Sequence, residues 1–466
     1  MLKKMHSILA VVLSVVLMFS LAGCGKENGG NDVDEENKGG EAKVIDLNGR
    51  EINLVAWGDG VFNLVEDSED ELGQTYYARM KEMEKEYNCT FVIKKVGAAE
   101  ILPGLRAAEM GGTSYADVVV LRQAWAKSAR DEGILLDLSQ LFDGSLEQFY
   151  QPAVNCLKDK DGKFYSIAFY KENPVENLFI FNRDHFENQG IDVDALYQEV
   201  LDGKWTFERL FEIAEKATVE KNGKIEVYGT EVCTAGDALG NFLAPFGAQM
   251  MVENEDGTYS SGLKTDNMQD ALKKLSDMWS SKHFWKKSGS DAWDANIQSF
   301  TSGTLAMINY PIASIGSLSQ TVPFKIGVLP MPKNRVEDEY TYSAMTLNVA
   351  VMPASMGNDM ETAQAIADMI TYIYAPIDEN VESTLTRKYS MYSSDEKMVR
   401  VLVEAALSDN FVFSNHIYTG LKSTYENICS LKISDILKGN VSIKAGLDAI
   451  NDAWQASIDE YNAGLK

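Results

Sequence analysis

Short apolar runs alternate with helical patterns near the start of the chain, and this order restricts the fold more than any other feature. Three runs have strand composition: Glu51–Trp57, Thr90–Val96 and Ala116–Leu121. The last of these (ADVVVL) is continuously apolar, which is typical of a buried parallel strand. Between the runs, apolar residues recur at helical spacing over 76–87 and 101–110. The order β-α-β-α-β predicts an α/β fold built on a mostly parallel, doubly wound sheet.

The second half of the chain carries the signals of further amphipathic helices. Thr206 is placed to cap a helix that has Glu208 in its first turn. Apolar stripes at helical spacing follow over 268–279, 363–374 and 443–458. We interpret these stripes as surfaces that face a core. The length beyond the N-terminal segment, about 420 residues, predicts two or three domains.

The N-terminus has the three parts of a secretory signal and ends in LAGC at residues 21–24. Lys3 and Lys4 give a positive start, an apolar stretch follows, and small residues precede the cysteine. This arrangement resembles the bacterial lipoprotein signal, in which the cysteine becomes the first mature residue and carries a diacylglyceryl group. We therefore expect 1–23 to be a signal peptide and Cys24 to be lipidated. The alternative is an uncleaved N-terminal anchor helix.

The composition of the segment after the cysteine predicts a flexible tether. Residues 25–44 have no apolar period, many Gly and Asn, and mixed charge, so they cannot bury enough surface to fold. We interpret 24–50 as the lipidated cysteine and a flexible tether, which would hold the protein at the outer face of a membrane because a diacylglyceryl group supplies two acyl chains. The alternative is a disordered tail without a function, which would have the same structure.

The charge balance limits the possible partners. The 466 residues include 43 Lys and Arg against 69 Asp and Glu, a net charge of −26. Nucleic acids and anionic lipids require a positive surface, so neither is an expected partner. A role of the acidity in solubility alone is an equally good interpretation.

Neither the cysteines nor the histidines form a chemical motif. Besides Cys24 the chain has four cysteines, all far apart: Cys89, Cys156, Cys233 and Cys429. They do not have the spacing of a metal or redox cluster, and they fit either two disulfides, in three pairings, or free thiols. The histidines beyond the signal (His185, His283 and His416) each stand alone. We expect no metal and no cofactor.

The motifs of phosphate-binding loops, nucleophile elbows, zinc proteases and dinucleotide-binding folds are missing from the sequence. We therefore predict that the protein is not an enzyme. Because the carboxylate pair of a glycosidase leaves no sequence signature, an extracellular carbohydrate-active enzyme stays open as an alternative.

Aromatic and polar residues follow two of the predicted strands. Trp57 and Asp59 come after the first, and Gln123 and Trp125 come after the third. Open α/β sheets bind ligands at the carboxyl ends of their strands, where a ring can stack on a sugar while a carboxylate or amide bonds its hydroxyls. Packing of each tryptophan beneath a loop is the alternative.

Seven segments in the same order resemble family 1 extracellular solute-binding proteins of ABC importers, the maltodextrin-binding type. The resemblance spans about Glu51 to Tyr461. It departs from the family at Ala168, where proline is usual, and at Ser343-Ala344-Met345, which replaces a Gly-rich turn. The segments are Ala116–Val119 (ADVV), Gly133–Leu138 (GILLDL), Lys163–Ala168 (KFYSIA), Leu178–Asp184 (LFIFNRD), Trp205–Leu210 (WTFERL), Phe300–Met307 (FTSGTLAM) and Ile326–Pro332 (IGVLPMP).

The resemblance implies a two-lobed periplasmic-binding-protein-like fold of type II, with the lobes linked by crossover hinge strands. Lobe 1 would be 51–166 plus 348–395, and lobe 2 would be 167–347 plus 396–466. A ligand would bind in the cleft between them, and the lobes would close by hinge motion. The implied cleft residues are Trp57, Asp59, Gln123 and Trp125 from lobe 1, and Tyr170, Asp237, Asn241, Tyr310 and Tyr418 from lobe 2.

The implied function is that of a monomeric, lipid-anchored receptor on the extracellular side of the cell membrane. It would capture a carbohydrate, expected to be an oligosaccharide, and deliver it to the permease subunits of an ABC importer. A surface glycan-binding or sensory lipoprotein without a permease is the main alternative.

Overall fold

The protein is described here from a computed structural model. Two compact units divide between residues 43 and 44, and every described residue belongs to the second. The described residues are 45–66, 71–142, 146, 149–169, 172–233, 239–254, 256, 258–287, 294–345, 347–376, 380–413, 421 and 431–463. The signal peptide, Cys24 and residues 25–44 of the tether lie outside them.

Helices and strands alternate along the described chain. The strands are β1 (Arg50–Ala56), β2 (Cys89–Lys95), β3 (Val118–Arg122), β4 (Leu178–Asn182), β5 (Val219–Lys221), β6 (Lys224–Val227), β7 (Thr230–Cys233), β8 (Met251–Glu253), β9 (Tyr259–Ser261), β10 (Phe284–Lys287), β11 (Met307–Tyr310), β12 (Ile326–Pro330), β13 (Tyr342–Ala344), β14 (Asn348–Val351) and β15 (Phe411–Phe413). The α-helices are α1 (Glu71–Glu86), α2 (Ala98–Gly111), α3 (Gln123–Asp131), α4 (Gln151–Asn155), α5 (Arg183–Asn188), α6 (Val193–Leu201), α7 (Phe207–Ala217), α8 (Leu239–Leu243), α9 (Asp266–Ser280), α10 (Ala295–Thr301), α11 (Ile315–Thr321), α12 (Met360–Ile373), α13 (Val381–Ser390), α14 (Glu396–Leu407), α15 (Leu431–Leu437) and α16 (Ile443–Ala463). Short 3-10 helices lie at Asp59–Phe62, Leu138–Gln140, Ala244–Phe246, Ile312–Ser314 and Ala354–Asn358.

The predicted β-α-β-α-β unit is confirmed. β1 pairs in parallel with both β2 and β3, and the sheet has the order β14-β3-β1-β2. The predicted strand boundaries lie within two residues of those observed. β14 joins the sheet from much later in the chain and runs antiparallel to β3.

The two faces of this sheet are both apolar, as the continuous run in β3 predicts. Val118 and Val120 point to the face covered by α1 and α12, whereas Val119 and Leu121 point to the face covered by α2 and α3. This alternation follows from the two-residue period of a strand. Together the two faces form what we call the N-terminal core, built from residues 47–168 and 347–374.

A second cluster, the C-terminal core, is built from residues 175–342 and 385–458. At its centre β4 lies between β11 and β12, antiparallel to both. The predicted cap is present, since the Thr206 hydroxyl accepts a hydrogen bond from the backbone N–H of Arg209 at the start of α7. The predicted stripes on α9, α12 and α16 are buried, which confirms their core role.

Along its described residues, the chain crosses between the two cores three times. The first two crossings lie between Ala168 and Val175 and between Tyr342 and Leu347, close to the predicted lobe boundaries. At the third, the resemblance implies a boundary at 395, and Leu385, ten residues earlier, packs in the C-terminal core. Its helix α13 is amphipathic and buries its apolar side against that core, so we propose that lobe 2 resumes at α13.

Two cysteine side chains are described, and both are free thiols. Cys89 and Cys156 are held in the N-terminal core, where burial raises the pKa of each thiol to about 11. The side chain of Cys233 and the whole of Cys429 lie outside the described residues. Within the described part of the chain, no helix is long and apolar enough to cross a membrane, and no group of His, Cys, Asp and Glu side chains is arranged to hold a metal ion.

Candidate functional site

A cavity of about 530 Å³ opens where the two cores meet. This volume lies within the range of sites that bind small molecules, roughly 300–1,000 Å³. Phe62 and Tyr374 contribute from the N-terminal core, and Leu385 and Tyr389 contribute from the C-terminal core. The described residues that line it are Val61, Phe62, Asn63, Leu72, Tyr76, Phe149, Ala168, Phe169, Glu172, Asn173, Pro174, Ile312, Ala313, Asn348, Tyr374, Pro376, Val381, Thr384, Leu385, Lys388, Tyr389 and Tyr392.

Four aromatic rings form one wall of the cavity. Phe169, on the first crossing, stacks on Tyr374 with ring centroids 4.4 Å apart and an interplanar angle of 20°. Tyr76 meets the same Tyr374 ring edge-on at 5.0 Å, and Phe62 lies 5.7 Å from Phe169. Tyr76 and Phe169 are half-buried, so their rings can face a ligand, whereas Phe62 and Tyr374 are buried and support them.

The Tyr374 hydroxyl fixes this wall to the end of β1. It donates a hydrogen bond of 2.6 Å to the backbone carbonyl of Phe62 in the 3-10 helix that follows β1. Burial raises the pKa of Tyr374 well above its ordinary value, so the hydroxyl stays protonated and able to donate.

Helix α13 forms the facing wall. Val381, Thr384, Leu385 and Lys388 all line the cavity. Their spacing of three, four and seven residues puts them on one face of the helix. Asn380 begins this helix by accepting a hydrogen bond from the backbone N–H of Ser383.

The first crossing is tied to both sides of the cavity. The Tyr150 hydroxyl, from the N-terminal core, donates a 2.7 Å hydrogen bond to the Asn173 side-chain oxygen. The Asn173 amide nitrogen donates in turn to the backbone carbonyl of Ser408, which follows α14. Buried Asn173, which lines the cavity, therefore links the two cores.

An ion pair lies in the same lining. The Lys388 ammonium is 2.9 Å from a carboxylate oxygen of Glu172, and their side chains keep 23% and 20% of their exposure. Lys388 comes from α13 and Glu172 from the first crossing, so the pair joins the facing wall to the crossing segment. Its partial exposure keeps it within reach of a molecule in the cavity.

The tryptophans predicted for the site lie in the described chain but outside this lining. Trp57 is half-buried where β1 ends and packs on both faces of the N-terminal core. Trp125 is half-buried on α3, and the Arg122 guanidinium lies 5.3 Å from its ring centroid. Gln123 begins α3, and its buried side-chain oxygen has no hydrogen-bond partner among the described residues. Their role in binding stays a prediction.

Two predicted site residues of the C-terminal core, Asn241 and Tyr310, are described, and both contact other parts of that core. Asn241 is 2% exposed, accepts a hydrogen bond from the Ser343 hydroxyl and donates to the Glu176 carbonyl, so its amide holds two crossing segments together. Tyr310 ends β11 opposite Leu178, and burial raises the pKa of its hydroxyl. Tyr310 lies just before Ile312 and Ala313, which do line the cavity.

The chain matches the sequence profile of the bacterial extracellular solute-binding protein family over residues 78–375, which is more than half of its length. The protein belongs to this family. The predicted resemblance to extracellular solute-binding proteins is confirmed, and so is the prediction of a binding protein rather than an enzyme. No curated protein sequence matches the chain.

Solved structures of other solute-binding proteins share the fold at low identity. One is the GacH receptor of Streptomyces glaucescens, solved unliganded and with acarbose (17% identity, TM-score 0.61). Another is the substrate-binding protein Lmo0181 of Listeria monocytogenes with cycloalternan (16%, TM-score 0.59). A third is the cyclic alpha-maltosyl-1,6-maltose binding protein of Arthrobacter globiformis (18%, TM-score 0.62). Each match covers 88% of this chain and 99% of the other, and confirms the predicted two-lobed α/β fold.

Four site predictions for this solute-binding protein fall outside the described structure. They are Tyr170, Asp237 and Tyr418, together with the side chain of Asp59, whose backbone begins the 3-10 helix after β1. They stay predictions.

Sequence reasoning missed the aromatic wall of this solute-binding protein. In the sequence, Tyr76 and Tyr374 fit apolar helix stripes, and Phe62 and Phe169 carry no motif. One sequence signal could have indicated this wall, namely the aromatic residues around Ala168. The resemblance implies the first crossing there, and a crossing between lobes must border the cleft.

Proposed function

We propose that this solute-binding protein captures a carbohydrate, expected to be an oligosaccharide, in the cavity between its two cores and delivers it to an ABC importer. The observation that carries this proposal is the aromatic wall built on the Phe169–Tyr374 stack. Half-buried rings offer flat apolar surface to the faces of sugar rings, and neighbouring amides and hydroxyls can bond sugar hydroxyls.

The lining offers such polar groups on several sides. Asn63, Asn348 and Thr384 also line the cavity, and each side chain can donate or accept hydrogen bonds. The ligands named for three proteins of the same fold, cycloalternan, acarbose and cyclic alpha-maltosyl-1,6-maltose, support a saccharide as the ligand class. We propose that Trp57, Gln123 and Trp125 extend this surface when the cores approach each other.

Ligand binding would favour the closed arrangement of the two cores, because the ligand contacts both of them. A molecule that contacts Phe169 and α13 together gains most of its contacts when the cores are close, so binding shifts an open–closed equilibrium. The crossing segments that carry Asn173 and Ser343 are the expected hinges, and Asn241 bonds the second of them through the Ser343 hydroxyl. We propose that the protein acts as a monomer.

We further propose that Cys24 anchors the protein at the outer face of the cell membrane. The LAGC sequence at residues 21–24 supports this proposal, and residues 25–44 would belong to the flexible tether. Replacing Cys24 by Ala should move the expressed protein from the detergent phase to the aqueous phase in phase partitioning. A Cys24→Ala variant that still enters the detergent phase would contradict the anchor.

A thermal-shift screen tests the ligand class. We expect neutral di- to tetrasaccharides to include at least one that raises the melting temperature of the purified protein, because a ligand that binds only the folded state stabilises it by mass action. Amino acids and short peptides serve as the comparison set. A rise with peptides and none with any saccharide would contradict the proposal.

A further inference from the structure

We infer that the Glu172–Lys388 ion pair is a specificity determinant that selects uncharged saccharides over acidic and amino sugars. The inference rests on the proposed function and concerns the ligand class of the same cavity. It begins with the charges that line the site. Among the described residues of the lining, Glu172 and Lys388 are the only two that carry a full charge at neutral pH, and they face each other at 2.9 Å.

The neutrality of this lining contrasts with the rest of the molecule. The chain has a net charge of −26, so an arbitrary patch of its surface would carry excess negative charge. Here one carboxylate is balanced by one ammonium, and the other described lining residues are aromatic, aliphatic or neutral polar. A saccharide that approaches the wall therefore meets no net charge from these residues.

The pair disfavours ligands of either charge. A carboxylate on the ligand would have to share Lys388 with Glu172, and an ammonium would have to share Glu172 with Lys388. In either case one of the three charges has no counter-charge among the described lining residues of a partly buried, mainly apolar site, which is costly. A hydroxyl group both donates and accepts, so it can bond either member while the pair stays intact.

Two contacts keep the pair in place. The Lys388 ammonium also lies 5.8 Å from the centroid of the Tyr389 ring, whose side chain is buried in the C-terminal core. Glu172 is the residue before Asn173, which is bonded to both Tyr150 and Ser408. Both charges are thus carried by anchored segments rather than by free loops.

The test measures selectivity rather than affinity alone. The ligand panel contains neutral di- to tetrasaccharides together with glucosamine and glucuronate oligomers of the same lengths, titrated calorimetrically at constant ionic strength. We expect the protein to favour a neutral saccharide by about tenfold or more over its charged counterparts. Lys388→Met keeps the side-chain stem but removes the charge, so the ratio of amino-sugar to neutral affinity should rise about tenfold.

The reciprocal variant should shift selectivity the other way. Glu172→Gln should raise the ratio of uronate to neutral affinity, and the exchange Glu172→Lys with Lys388→Glu should restore the preference for neutral ligands. Arg387→Met is the matched control, because Arg387 lies next on the same helix and pairs with Glu71 outside the cavity lining. It should leave all ratios unchanged.

The outcomes separate the two proposals. If neutral saccharides bind and both single variants keep the ratios of the unmodified protein, the inference about the pair is wrong and the proposed function stands. The inference is also wrong if the unmodified protein binds a charged oligomer as tightly as a neutral one. If no saccharide of any class binds, the proposed function fails and the inference fails with it.

Discussion

The Phe169 and Tyr374 rings stack 4.4 Å apart across the junction between the first crossing and the N-terminal core. Phe169 lies just after the last core residue before the crossing, and Tyr374 ends helix α12. The contact therefore links a segment expected to move with the hinge to a fixed part of the N-terminal core. It also sets the plane of the ring that we expect a sugar to meet.

The Tyr374 hydroxyl should stabilise the fold separately from its ring. Tyr374→Phe leaves the stack in place but deprives the Phe62 carbonyl of its donor, which should lower the free energy of unfolding by about 1–3 kcal/mol. Tyr372→Phe is the control, since the Tyr372 hydroxyl bonds Glu82 at an exposed position and should matter less. Denaturant titration compares the two, and equal losses would contradict the role of the buried bond.

Trp125 is predicted to contribute to binding although it lies outside the cavity lining. Trp125→Ala should make the binding free energy of the ligand less favourable by about 1 kcal/mol or more, the size of a buried aromatic contact. Trp279→Ala provides a comparison, because that ring is half-buried beside the C-terminal core. An affinity that is unchanged in Trp125→Ala would remove this residue from the site.

Gly229 should tolerate no side chain. A Cβ atom at this position would lie 2.0 Å from the backbone oxygen of Ala214 in α7, and a backbone atom of a packed helix cannot move aside cheaply. Gly229→Ala should therefore destabilise the C-terminal core by about 3 kcal/mol or more. Gly439→Ala tests the other kind of glycine, because its φ is +76° but no atom lies within 4 Å of the added Cβ, so the smaller strain should give a smaller loss of melting temperature.

The Asp359 cap should make part of the stability depend on pH. Its carboxylate accepts hydrogen bonds from the Thr362 hydroxyl and backbone N–H at the start of α12, and these bonds lower the pKa of Asp359. The cap therefore stabilises the protein above the unfolded pKa, about 3.9, and this contribution is lost as the pH falls through the lower folded pKa.

Asp359→Ala should cost about 1 kcal/mol at pH 7, and the difference from the unmodified protein should shrink in melts below about pH 4. Asp359→Asn keeps an acceptor without a charge, so it should cost less and show no such pH dependence. A loss in Asp359→Ala that is constant from pH 3 to pH 7 would contradict the account.

The N-terminal sheet could be predicted because its signals are local. The continuous apolar run from Val118 to Leu121, together with the strand-helix order around it, predicts both the parallel pairing and the two apolar faces. The cap at Thr206 was equally local. The lobe boundaries implied by the family resemblance stay predictions. Our proposal that lobe 2 resumes at α13 rests on the packing of Leu385, because α13 has no sequence motif that distinguishes the cores.

The aromatic content around Ala168 could point to Phe169, but the wall as a whole could not be predicted because its members converge only in three dimensions. Phe62, Phe169 and Tyr374 come from three distant segments, and Tyr374 fits the apolar period of α12 as well as any core residue does. Asn241 shows the opposite difficulty. A polar residue near an expected cleft looks available to a ligand in the sequence, but its amide bonds Ser343 and the Glu176 carbonyl in the structure.

The most direct test is a calorimetric titration of the purified protein and its Phe169→Ala variant with the saccharide that gives the largest thermal shift. We predict one binding site with micromolar affinity, about −8 kcal/mol. In Phe169→Ala the affinity should fall by about fivefold or more, because the half-buried ring supplies stacking surface that alanine lacks. Full affinity in Phe169→Ala, or no heat of binding with any saccharide, would contradict a carbohydrate site at this wall.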